Sequence, residues 1–114
     1  MNDFQIGMLL EAIDAKNIEK IKLLTKDIKE SNKNLDIVFE IYNNRLLTFE
    51  RLKFIIKNCF SFLKISTTLI KKLLEDDNIE LLDIIFNTFK FFDKESILKL
   101  LLLYENKIAL STNV

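Results

Sequence analysis

The sequence has no proline and no histidine, and it has a single glycine (Gly7) and a single cysteine (Cys59). Without proline, and with one glycine, neither strong chain-breaker is there to interrupt regular structure, which favours helices joined by short polar turns. One glycine cannot build a Gly-rich phosphate loop. One cysteine cannot form an internal disulfide and fits a reducing compartment. One cysteine and no histidine cannot furnish a tetrahedral structural zinc site. An excess of charge of one sign is also missing. Lysine plus arginine number 17 and aspartate plus glutamate number 17, whereas a protein built to hold a phosphate backbone carries a clear basic excess. Long apolar runs are absent too. The longest, "LLLLY" at Leu100–Tyr104, falls far short of a membrane span. "MNDFQIGMLLEAID" has an early acid and no basic segment ahead of its apolar run, unlike a secretory leader. A soluble, cytoplasmic protein is expected, with no membrane and no nucleic acid among its partners.

Apolar residues make up 49% of the chain and charged residues 30%, a globular balance rather than a disordered one. The 114 residues are the length of one domain and suffice to bury roughly two-thirds of the unfolded surface. Within them one pattern recurs. "NIEKIKLL", "TFERLKFI" and "NIELLDII" begin at Asn17, Thr48 and Asn78. Ile18, Phe49 and Ile79 stand 31 and 30 residues apart, a period that implies stacked supersecondary units. Three positions on come Ile21, Leu52 and Leu82. Next come Leu23, Phe54 and Ile84, then Leu24, Ile55 and Ile85, and ten positions on Ile28, Cys59 and Phe89. Polar columns lie between: Lys22, Lys53 and Asp83, then Lys26, Lys57 and Asn87. Apolar offsets of zero, three, six and ten read as one face of a helix.

Asn17, Thr48 and Asn78 can each accept a hydrogen bond from a free amide at a helix start. Glu19, Glu50 and Glu80 follow, placing negative charge where the helix dipole favours it. That chemistry accounts for the three glutamates without a catalytic role. Each of these helices is preceded by another helix-like stretch. Its apolar face is Ile6, Leu9, Leu10 and Ile13 in the first case. In the second it is Leu35, Val38, Phe39 and Tyr42, and in the third Leu69, Ile70, Leu73 and Leu74. Short links make each pair an αα-hairpin, the second link about two residues longer than the others. The units are about 4–31, 32–62 and 63–92, with a half-unit at 93–114 whose helix, "KESILKLLLLYEN", is apolar nearly all round. The whole chain, 1–114, reads as a single all-α repeat domain of about seven helices.

The second-helix columns, "IEKIKLL", "FERLKFI" and "IELLDII", resemble the ankyrin repeat, in the part where that family writes leucine, glutamate, two aliphatics, a polar residue and paired leucines. The resemblance implies stacked antiparallel helix pairs and a role in binding other macromolecules, usually proteins. It is partial. The family's Thr-Pro-Leu-His opening is replaced by "GMLL", "VFEI" and "TLIK". Of its paired alanines only Ala12 survives, and its turn glycines are missing, so its β-hairpin is expected to be reduced or absent.

No catalytic, cofactor or metal residues are assigned. Cys59 has no histidine to activate it and shares a column with Ile28 and Phe89, so it reads as a small buried hydrophobe. "EDDN" at Glu75–Asn78 lacks the twelve-residue pattern and central glycine of a calcium loop and reads as a solvated turn. "FNTFKFFDK" interleaves aromatics with lysine, but Phe86 and Phe89 fall in apolar columns, and Phe91 and Phe92 are read as closing the core. Lys22, Lys26, Lys53 and Lys57 read as a solvated stripe. The expectation is a non-enzymatic protein-interaction scaffold without cofactors. The alternative is a self-associating piece of a longer array, joined through its apolar C-terminal helix.

Overall fold

Six helices organise residues 3–88 in the computed structural model, which describes residues 1–88 and Leu102. They are α1 (Asp3–Asp14), α2 (Ile18–Ser31), α3 (Ile37–Asn43), α4 (Phe49–Asn58), α5 (Thr67–Glu75) and α6 (Ile79–Thr88). Among the described residues there is no strand. The half-unit at 93–114 and its seventh helix lie outside the described residues, apart from Leu102, which is helical and exposed.

All six starts are made the same way. Asn17, Thr48 and Asn78 accept from the backbone N–H of Lys20, Arg51 and Leu81. Asn2, Asp36 and Ser66 do the same for Gln5, Phe39 and Leu69 at the first helix of each pair. Each such bond satisfies one of the four orphan amides of a helix N-terminus, and replacing such a cap by alanine costs about 1 kcal/mol.

The turn inside each pair also repeats. Lys16, Arg45 and Asp77 have φ of 57°, 63° and 54°, in the left-handed region. Their N–H groups bond Ile13, Tyr42 and Leu74, and the next residues, Asn17, Leu46 and Asn78, bond Ala12, Ile41 and Leu73. This two-bond closure is the Schellman motif. Glycine is its usual occupant, yet none of the three sites has one. In the outer pairs the residue after the left-handed one is already the next N-cap, so three residues separate the helices. The middle pair inserts two more before Thr48, the extra length expected from the sequence.

Packing follows the columns. Ile21, Leu52 and Leu82 are 0%, 0% and 5% exposed and belong to one continuous apolar cluster with Ile28, Ile55, Cys59 and Ile85. α1 packs on α2 and on α4, α6 on α4 and α5, and α3 on α5. In the middle pair the main packing partners are other helices, α5 for α3 and α6 and α1 for α4. The column of Ile18, Phe49 and Ile79, read from sequence as part of the buried face, is exposed, with Ile79 72% exposed. At about 100° per residue this column lies roughly 85° from the centre of the stripe set by offsets three, six and ten. It also stands at the first helical position, beyond the packed length. Leu23 is likewise exposed at 63%.

α3 is shorter than its apolar pattern. Because Asp36 caps the amide of Phe39, Leu35 is left ahead of the helix, and the fully buried positions become Ile37, Val38 and Ile41. Leu35, Phe39 and Tyr42 are half-buried against the core. The expected faces of α1 and α5 are buried at every position.

Candidate interaction surface

Four polar links tie one pair to the next. Arg51, on the first turn of α4, grips Asp14 at the end of α1 through Nε–Oδ1 and Nη2–Oδ2 contacts of 3.0 and 2.9 Å. Its Nη1 also donates to the Leu46 carbonyl oxygen at 2.7 Å. A carboxylate at a helix C-terminus opposes the dipole, and the guanidinium offsets it, holding Asp14 below the usual carboxylate range. Lys29, near the end of α2, donates to the carbonyl oxygen of Phe62 at 3.3 Å. Between the second and third pairs the links join matching ends of α3 and α5. The Ser66 hydroxyl donates to Asp36, one N-cap to another. At the other end Tyr42 Oη donates to Asp76 Oδ2 at 2.6 Å. Burial and the neighbouring Asp76 carboxylate push the Tyr42 phenol above its usual range. The two helices therefore run in the same direction and in register.

α4 packs closely along α6 but not along α2, and two grooves open beside it. One, of about 550 Å³, lies between the α1–α2 turn and α4, with Lys16, Lys53 and Lys57 around Ile13 and Phe54. The other, of about 580 Å³, lies between α2 and the chain just beyond α4, with Lys22, Lys26 and Lys29 around Leu23 and Phe62. The expected lysine stripe is thus divided between two grooves. The volumes are of the size that holds a small ligand or a few side chains. Thr25 lines the second groove, but its hydroxyl is buried beneath the surface, the residue being 2% exposed, and has no hydrogen-bond partner. Leaving such a group unbonded costs about 1–3 kcal/mol.

The residues weighed as chemical candidates are placed apart. Cys59 is fully buried in the core, and burial pushes its thiol up to about 11. Glu19, Glu50 and Glu80 sit exposed in the first turns of three different helices. In "EDDN", Asp76 ends α5 and takes the Tyr42 bond and a 3.5 Å contact with Lys72, Asp77 holds the left-handed turn, and Asn78 caps α6. Among the described residues no three His, Cys, Asp or Glu side chains gather to hold a metal ion. Phe86 packs half-buried against the core, while Phe89, Phe91 and Phe92 lie outside the described residues.

Sequence reasoning missed Arg51 and Thr25. Arg51 sits in a repeat position with no other arginine, and Thr25 is the one polar side chain that is buried among the described residues, flanked by the apolar Leu24 and Ile28. Among the described residues no helix is long and apolar enough to cross a membrane. Comparisons of the chain with protein-family models, with curated proteins and with solved structures return no match.

Proposed function

We propose that this chain is a non-enzymatic protein-interaction scaffold, a strongly diverged ankyrin-like array working in the cytoplasm without a cofactor. One observation carries the reading: three helix pairs share the same kind of N-cap and the same left-handed turn, and the N-caps of α3 and α5, Asp36 and Ser66, are bonded to each other. A unit of this kind cannot bury its apolar face alone and draws its stability from neighbours. The product is a rigid frame whose outward side chains are free to set specificity. The acids of the repeated helix starts lie apart on three helices, and the thiol is buried, which supports a binding role over catalysis. Affinity purification with the tagged chain tests this. Recovery of one protein in stoichiometric amount supports the scaffold, whereas a monomer that retains no protein contradicts it.

A second reading, self-association within a longer array, draws on Ile18, Phe49 and Ile79, apolar side chains exposed at equivalent positions of the three pairs. Light scattering across concentration separates the two. A monomer at high concentration removes self-association and leaves the scaffold standing.

A further inference from the structure

The chain is neutral overall, with 17 basic and 17 acidic residues, but individual helices differ in charge. α4 carries Arg51, Lys53 and Lys57 against Glu50, whereas α6 carries Glu80 and Asp83 and no base. Both grooves beside α4 are lined by lysines. Among the described residues no ion pair engages Lys16, Lys22, Lys26, Lys53 or Lys57. Lys53 leans over the Phe49 ring, 5.9 Å from its centre. Asp14, an acid at the first groove, is already taken by Arg51. The grooves also have apolar walls, notably the exposed Leu23 beside Phe62.

We propose that the two grooves flanking α4 form a docking site for an acidic segment of a partner protein. Its carboxylates pair with Lys16, Lys53 and Lys57 in one groove and with Lys22 and Lys26 in the other. An apolar side chain of the segment packs on Leu23 and Phe62. Uncommitted cations around an unfilled apolar floor are complementary to such a segment in both charge and polarity. A nucleic-acid backbone fits less well. The free cations at these grooves are all lysines, without a free arginine fork to grip phosphate. The site deepens the scaffold reading and rests on it.

The test uses the whole chain and a fluorescent peptide of glutamates interrupted by leucines, with anisotropy as the readout. Binding should weaken about tenfold in Lys53→Glu/Lys57→Glu and by a similar factor in Lys22→Glu/Lys26→Glu. Lys71→Glu, on α5, should leave it unchanged. Thermal melts of all variants confirm that each is folded. Thr25→Val should raise the melting temperature of the free protein, because it removes the unbonded buried hydroxyl, and should leave peptide binding unchanged. The proposal is overturned if the peptide does not bind, if the lysine reversals do not weaken it, or if single-stranded RNA binds more tightly and responds to the same reversals. Affinity purification separates this from the scaffold reading. A partner retained equally by the wild type and the reversed variants removes the docking site alone, and absence of any partner on the wild type removes the scaffold.

Discussion

The placement of glycine in this fold is inverted, and the inversion has a measurable consequence. Lys16 and Arg45 hold left-handed backbone with φ near 60°, whereas Gly7 sits inside α1 with ordinary helical backbone. For an L-residue the left-handed conformation costs roughly 1–2 kcal/mol. Replacing it by glycine relieves that cost but loosens the unfolded chain by roughly 0.4–1 kcal/mol. The net gain for Lys16→Gly is about 0.5–1 kcal/mol, and the same for Arg45→Gly. Both side chains are exposed, so little packing is lost. A Cβ added at Gly7 meets nothing within 4 Å, so Gly7→Ala adds about another 0.5–1 kcal/mol of helix propensity. The triple variant should therefore gain about 2 kcal/mol, raising the melting temperature by roughly 8 °C. Ala15→Gly is the control. It neighbours Lys16 but has φ of −79°, so glycine there should lower stability by a few tenths to about 1 kcal/mol. Differential scanning calorimetry and urea titration give the values. If Lys16→Gly and Ala15→Gly both destabilise, Lys16 is not left-handed and the repeated turn does not exist.

Two further expectations follow from single side chains. Cys59 is buried with its thiol raised to about 11, so iodoacetamide at pH 8 should modify it only as fast as the core opens, and promptly in urea. Immediate labelling of the native chain would place Cys59 outside the core. Asp14→Asn should cost about 0.5 kcal/mol at neutral pH, a value limited by solvent screening at the half-exposed carboxylate. Arg51 depresses the folded-state pKa of Asp14. Its contribution is therefore complete above the unfolded value near 4 and is lost as pH falls through the lower folded one. Denaturant melts should show wild type and Asp14→Asn converging below about pH 4. A gap that persists there would mean the pair is not what separates them.

Local rules made much of this fold legible. Caps at Asn17, Thr48 and Asn78, the two extra residues in the middle link and the inward column of Ile21, Leu52 and Leu82 all depend on neighbours a few positions away. The caps Asn2, Asp36 and Ser66 carried the same signal, a polar acceptor ahead of an apolar run, and could have been read from it. What stayed hidden is non-local. Nothing near Asp14 in the chain points to Arg51, 37 residues on, or near Tyr42 to Asp76, 34 on. Leu47 and Leu63, buried in the links, obey no helical period. Left-handed Lys16 and Arg45 break the composition rule that would have marked them. The lysines of the grooves were visible as residues, but their separation into two grooves depends on how far α2 stands from α4.

Adjacent substitutions on α4 put the inward-facing column to its most direct trial. Leu52 is fully buried where the pairs meet, and Lys53 points to solvent. Leu52→Asp forfeits the leucine's packing and strands a charge in the core, a loss of about 5 kcal/mol or more, enough to unfold a domain of ordinary stability. Lys53→Asp should stay within about 0.5 kcal/mol of wild type. Circular dichroism melts of the two variants should show one without a cooperative transition and one nearly superimposable on the parent. Equal tolerance of both, or a folded Leu52→Asp, would mean that the repeated column does not face the core.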